Sequence, residues 1–392
     1  MKVTLKDILK LKSKNVILVF LTTFLSGFLF FLPILALYIQ KELFTLTNVA
    51  IIFAIGSIAE LIFRVPIAAF SDLYGRKKSI ILSFICLVLA IVSLYIGGSF
   101  WAFAIFEIFY ALFLALALDI PLIYDTLKME KKERYFKKVS GVTQSLWPIG
   151  AATSAILGGI IAAYSLKLSV GLSIIPVLFG LFLALFLEEP KIKRKKMRKI
   201  HLHIANSSKF IIKNRQLVLI ILGMLLIFGL SESTFKLNSI FYQFKGIPII
   251  YFGFISALGF FLSFLGFYFS HEISEKLGNK TTILASIILA ILLTFAATLN
   301  ASYLAAIFYV MTSFVYGLRW PVMNHLINIE TPSIKRATVS SISAVMISIG
   351  TAAFSLLTGF LAQKYNINIA YMISAGLMVF ALILFALIKE KE

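Results

Sequence analysis

Apolar residues fall along this chain in long unbroken runs, not at the intervals of a half-buried helix or strand. Twelve runs of roughly 20 residues, the length a helix needs to cross a bilayer core, alternate with short polar segments. They span Val16–Tyr38, Asn48–Phe70, Ser79–Gly97, Trp101–Ile123, Val139–Tyr164, Ser169–Leu187, Gln216–Tyr242, Ile249–Ser270, Thr281–Leu299, Tyr303–Leu326, Val339–Ala362 and Ile367–Ile388. Barrel strands would show alternation in segments of about 10 residues, and these runs do not. The pattern predicts an all-α membrane protein with twelve transmembrane helices. The first run is too long for a signal peptide and has no small-residue cleavage site, so it reads as a retained helix.

Composition narrows the class. Of 392 residues, 60% are hydrophobic and 14% charged, too little polar material to coat a water-soluble globule. Lys and Arg number 37 against 17 Asp and Glu. Thirty of the 37 lie in the N-terminal tail, in alternate loops on the same side and in the C-terminal tail, against four in the opposite loops. Short basic loops stay cytoplasmic, so a multi-pass protein of the plasma membrane with both termini cytoplasmic is expected. The densest run, Lys191–Lys199, reads as a topology signal in contact with anionic lipid. No nucleic-acid reader accompanies it. A single cysteine, Cys86, excludes an intramolecular disulfide and a thiolate metal cluster. A monomer is expected.

The chain also repeats itself. A shift of 200 residues pairs Pro121 with Pro321, Val139 with Val339, Gly150 with Gly350 and Gly159 with Gly359; a shift of 203 pairs Gly75 with Gly278. Spans two to five match spans eight to eleven. Six spans separate the copies, so the halves have the same orientation: two parallel six-helix repeats. The expected organisation is an N-terminal six-helix bundle over 1–187, a basic cytoplasmic linker over 188–215 and a C-terminal six-helix bundle over 216–392.

Between spans two and three, Ala68-Ala-Phe-Ser-Asp72-Leu-Tyr-Gly75-Arg76-Lys77-Lys78 resembles the signature of the major facilitator superfamily. It departs from that signature at Ala68, where Gly is expected, and at Leu73, where a basic residue is expected. Gly75 permits the tight turn between two helices. Asp72, Gly75, Arg76 and Lys77 are implied by the resemblance as part of a cytoplasmic gate. A second stretch, Gly141, Gly150, Ser154-Ala155 and Gly158-Gly159, resembles the span-five pattern of the superfamily's antiporters, with Ser-Ala in place of Gly-Pro. Its plainer meaning is close helix packing through small residues. The segments around Asp119–Asp125, Arg319–Asn324 and Lys335-Arg336 resemble a poorly characterised prokaryotic branch of the same superfamily. The resemblance implies a secondary transporter working by alternating access, with the first helix of each three-helix unit lining the cavity.

Ionisable groups inside the spans then become the candidates for chemistry, because each costs about 2.5–3.5 kcal/mol at mid-bilayer on insertion scales. They are Glu60 and Arg64 in span two, Glu107 and Asp119 in span four, Glu232 and Lys236 in span seven, and Arg319 in span ten. Glu60/Arg64 and Glu232/Lys236 are spaced to neutralise each other along one helix face. The polar stretch Ser231–Asn238 also suggests a water-facing surface and a broken helix. Glu107 has no basic residue three or four positions away, which suits it to proton coupling; the alternatives are a neutral, hydrogen-bonded carboxyl or pairing with Lys236. Asp119 and Arg319 hold nearly equivalent places in the two repeats and are read either as a cytoplasmic gate pair or as caps of their own loops. Tyr309 and Tyr316 lie at helical spacing with Trp320, either to stack an organic substrate or to pack helices.

The partial antiporter motif and a largely apolar, aromatic-lined set of spans favour proton-coupled efflux of a small organic solute, a drug or other amphiphile, driven by the proton gradient without a cofactor. The alternative is a proton-coupled or facilitative importer of a small organic anion or sugar. A membrane-embedded enzyme is disfavoured, because no catalytic or metal-binding motif is present.

Overall fold

A computed structural model describes residues 13–117, 119–190 and 208–389. The basic run Lys191–Lys199 lies outside the described residues, as do the lysines before Ser13 and the side chain of Asp72. The described residues are helical almost throughout. In the first half the helices are α1 (Lys14–Ser26), α2 (Leu35–Leu43), α3 (Leu46–Tyr74), α4 (Arg76–Ile96), α5 (Phe100–Leu116), α6 (Asp119–Met129), α7 (Phe136–Tyr164), α8 (Leu166–Leu172) and α9 (Ile174–Leu185). In the second half they are α10 (Arg215–Lys236), α11 (Asn238–Phe244), α12 (Ile250–Leu277), α13 (Asn279–Leu299), α14 (Ser302–Glu330), α15 (Arg336–Lys364) and α16 (Ile367–Ala386).

Each predicted span corresponds to one helix or to two in succession. Among the described residues, ten helical segments are long and apolar enough to cross a membrane. The other two predicted spans fall short for local reasons. Span one is divided into α1 and α2 by a 3-10 turn at Leu32–Ile34, where Pro33 cannot supply the N–H a continuous helix needs. Span ten is the 29-residue α14, whose apolar run is diluted by Tyr309, Tyr316, Arg319 and Trp320. The predicted break in span seven is present at Leu237, between α10 and α11. Several helices outrun the predicted ends: α3 continues to Tyr74 and α12 to Leu277. Hydropathy marks where a helix leaves hydrocarbon, not where its backbone bonds stop.

The distribution of side chains is that of a protein solvated by lipid. Large apolar groups lie outward, including Phe254, Phe261, Phe264 and Tyr268 on α12. The interior holds many Ser and Thr residues, whose hydroxyls return to carbonyls three or four residues back, as Thr143 does to Val139 and Thr294 to Ala290. Small residues allow close backbone approach where hydrophobic driving force between helices is absent.

Two compact units emerge. The first comprises 1–38, 59–195 and 249–254; the second comprises 39–58, 196–248 and 255–392. The first part of α3 belongs to the second unit because it lies on α15, where a Cβ on Gly359 would overlap Ala50. The start of α12 belongs to the first unit because Gly159 of α7 meets the backbone of Gly253.

The span-five stripe is resolved by the same geometry. On α7, a Cβ added to Gly150 would overlap the Phe24 carbonyl of α1, and one on Gly158 would overlap the Phe30 carbonyl. Ser154 Oγ donates to the Gly27 carbonyl at 3.2 Å. Gly141 does not share in this packing: no described atom lies within 4 Å of an added Cβ there. It sits nearer the start of α7, before the helix closes on α1.

Candidate functional site

The turn into α4 is built on Gly75, with φ 104° and ψ 155°, a conformation open essentially to glycine. The chain beyond α9 folds back onto this turn. Glu189 places one carboxylate oxygen 3.0 Å from the Arg76 N–H and the other 2.7 Å from the Lys77 N–H. It thus caps α4 from a distant part of the sequence, at the end of the helix where a negative charge is favoured. Arg76 also approaches Asp125 of α6 at 3.8 Å. Next to it, Glu188 bonds Lys14 at 2.7 Å, which holds its carboxyl below the ordinary value. Asn15 exchanges two hydrogen bonds with the Glu188 backbone. Gly75, Arg76 and Lys77 are therefore joined by Glu188 and Glu189, which sequence reasoning passed over. Their position at the junction of span six and the basic linker was the available signal.

Deeper in the first unit, Glu107 of α5 is 6% exposed. Tyr110, one turn on, lies close enough to both Glu107 and Glu60 to feel their charges. Glu60 is bound to Arg64 along α3, as the spacing predicted. The rings of Phe31 and Phe106 meet edge to face at 5.8 Å, and Phe106 stacks on Tyr110 at 5.7 Å. Three of the sequence-selected groups are thus gathered at one place, with Tyr110 as an unforeseen member. Asp119 stands apart, in the first turn of α6, where it accepts from Thr23 Oγ1 at 3.0 Å.

In the second unit, Arg319 of α14 is 1% exposed. Its Nη2 donates to Ser231 Oγ at 2.7 Å. The guanidinium lies 5.4 Å from the Phe228 ring centre and 5.9 Å from that of Tyr316. Trp320 packs on Phe228 at 4.7 Å and stacks with Tyr316 at 6.0 Å. Glu232 is near enough to act on both Tyr316 and Arg319. One turn on, Lys236 Nζ donates to Ser57 Oγ at 3.0 Å and to the Phe53 carbonyl at 3.3 Å, both on α3. Tyr309 is 5% exposed and is enclosed by the rings of Phe241, Tyr242 and Tyr371 at 5.3–6.1 Å. Its repeat spacing with Tyr316 marked a helix face but not what covers that face.

A helical fold of this kind has parallels in known proteins. The family model described as Major Facilitator Superfamily matches residues 19–299 and 245–392. An uncharacterised MFS-type transporter of Bacillus subtilis (strain 168), YxaM, is 21% identical over 382 residues, covering 92% of each chain. Among solved structures, a mutant of the nucleoside transporter NupG superposes with a TM-score of 0.82 at 16% identity, over 96% of this chain and 99% of that one. A D-xylose-proton symporter gives 0.71 at 15% identity, over 96% and 98%. At such identities the superpositions establish the fold, here that of a multi-pass membrane protein. Together with the family match across nearly the whole sequence, they show that the chain belongs to the Major Facilitator Superfamily of secondary transporters.

Proposed function

We propose that this transporter is a proton-coupled importer of a small organic solute. It works as a monomer in the plasma membrane with both termini cytoplasmic and its basic loops against anionic lipid. Its six-helix halves, 1–187 and 216–392, alternate access around the linker 188–215. The observation that carries the reading is Glu107: a carboxyl 6% exposed within a membrane helix, with Tyr110 and a second acid, Glu60, close by. A carboxyl kept inside a membrane helix beside other ionisable groups is the kind of group a proton pathway uses. Uptake is favoured over efflux on two grounds. The motif argument for efflux rests on the small-residue stripe of α7, and packing against α1 accounts for Gly150, Ser154 and Gly158. A relative of the same fold is a D-xylose-proton symporter.

The test is flux in liposomes reconstituted with the full chain, using nucleosides, pentoses and organic acids as candidate solutes. An inside-alkaline gradient should drive accumulation of at least one of them. Glu107→Gln should abolish that accumulation while leaving solute exchange across symmetrical membranes. Accumulation by the Gln variant equal to that of the unmodified protein would remove Glu107 from coupling. Proton-driven extrusion in place of uptake would reverse the assigned direction.

A further inference from the structure

Arg319 is sealed within the second unit, yet among the described residues only its Nη2 has an acceptor; Nε and Nη1 are buried without one. A buried cation with unmet donors is costly, since each donor has given up water without replacement. The surroundings add selectivity. Phe228 and Tyr316 present rings to the guanidinium, and Trp320 extends the same aromatic wall. Glu232 contributes negative charge nearby.

We propose that Arg319 is the anion-binding group for the transported solute, and that the site takes an aromatic monocarboxylate. The carboxylate accepts from the guanidinium, and the ring lies against Phe228, Tyr316 and Trp320. A guanidinium holds a carboxylate through directed, charge-assisted hydrogen bonds. The aromatic wall favours a ring over an inorganic anion, and Glu232 opposes a dianion. Access requires α10 and α14 to part, so the interaction is read at equilibrium. The inference rests on the chain being a solute transporter; it does not depend on proton coupling or direction.

The test uses the purified full chain in nanodiscs, with benzoate, benzamide and phenyl phosphate as probes, read by melting temperature and tryptophan fluorescence. Benzoate should raise the melting temperature and change the fluorescence saturably. Benzamide, of similar shape but neutral, should bind roughly tenfold more weakly or worse, and phenyl phosphate should also be weaker. Arg319→Gln should lose the benzoate response and Arg319→Lys should keep a reduced one. Trp320→Phe should lose the fluorescence change and keep a melting shift. Equal responses to benzoate and benzamide, no response to benzoate, or a folded Arg319→Gln protein that still responds would each overturn the proposal. The benzoate–benzamide contrast is measured on the unmodified chain, so a variant that fails to fold does not blunt it. Carboxylate selectivity without proton-driven flux would sink the coupling proposal alone; proton-driven flux without carboxylate selectivity would sink this one alone.

Discussion

The two sequence repeats agree where helices touch and disagree where charges sit. Gly150 on α7 presses against the Phe24 carbonyl of span one, and its counterpart Gly350 on α15 presses against the Leu225 carbonyl of span seven. Gly159 meets the start of α12, and Gly359 meets the start of α3. Gly75 and Gly278 hold the same backbone conformation before α4 and α13, with φ 104° and 83°. The charges themselves show no such doubling, even where one ionisable position, Asp119 and Arg319, recurs with opposite sign. Glu107 corresponds to Ile307, Asp119 to Arg319, and Glu60 and Arg64 to Ser263 and Phe267 under the same shifts. Close backbone approach is a requirement of the fold, so both copies keep it. A charge in hydrocarbon is a cost that the fold does not need, so packing holds neither copy to the other's charges.

The largest effects should come from the shared contacts. Gly150→Val and Gly350→Val each push a branched side chain into a carbonyl of the facing helix. Overpacking of that kind costs about 1–3 kcal/mol, occasionally more. Both variants should show sharply reduced yield of monodisperse protein, with Gly141→Ala, which meets open space, as the neutral control. Normal yield from one and not the other would show that only one repeat depends on the contact.

A smaller difference should separate the two turns. Gly75→Ala and Gly278→Ala both place a side chain in a sparsely populated backbone region, at about 1–3 kcal/mol. Gly75 carries a further obstacle, because its added methyl would meet the Glu189 carboxylate at 2.7–2.9 Å. The Gly75 variant should therefore melt at the lower temperature of the two. Equal melting temperatures would mean that the Glu189 cap yields without loss.

The smallest effect concerns Glu188, whose carboxyl is held below its ordinary value by Lys14. The stabilisation from this pair is complete above the ordinary glutamate value of about 4.3. It is lost as pH falls through the depressed folded-state value. Both partners are more than half exposed, at 57% and 63%, so solvent screens the pair. Lys14→Met should slightly flatten the acid limb of the melting-temperature profile and leave neutral pH almost unchanged. An unaltered acid limb would show that the pair contributes nothing in solution.

Much of the architecture was legible because lipid imposes a simple rule: every backbone polar group must be satisfied within the span, so long apolar runs become helices. The break near Lys236 was visible as polar residues interrupting such a run. The internal shifts of 200 and 203 residues exposed the repeat, and the glycines paired by the first, Gly150 with Gly350 and Gly159 with Gly359, meet backbone in both copies. The site was legible only as a set of candidates. Tyr309 and Tyr316 look alike in sequence, yet one is enclosed by three rings and the other faces the Arg319 guanidinium. Spacing along a helix says which residues share a face and nothing about what packs there.

The amino-acid sequence by itself determined the twelve spans, their sidedness expectation, the doubling of the chain and the presence of charges that hydrocarbon would reject, since these follow from local composition and from the energetics of lipid. Only the tertiary structure decided that Glu189 caps α4, that Lys236 reaches Ser57, that Tyr110 lies near both Glu107 and Glu60, and that Arg319 bonds Ser231 among aromatic rings. Those partnerships join residues from 88 to 179 positions apart in three of the cases. They depend on how helices lean and turn against one another, which no run of hydrophobic residues specifies.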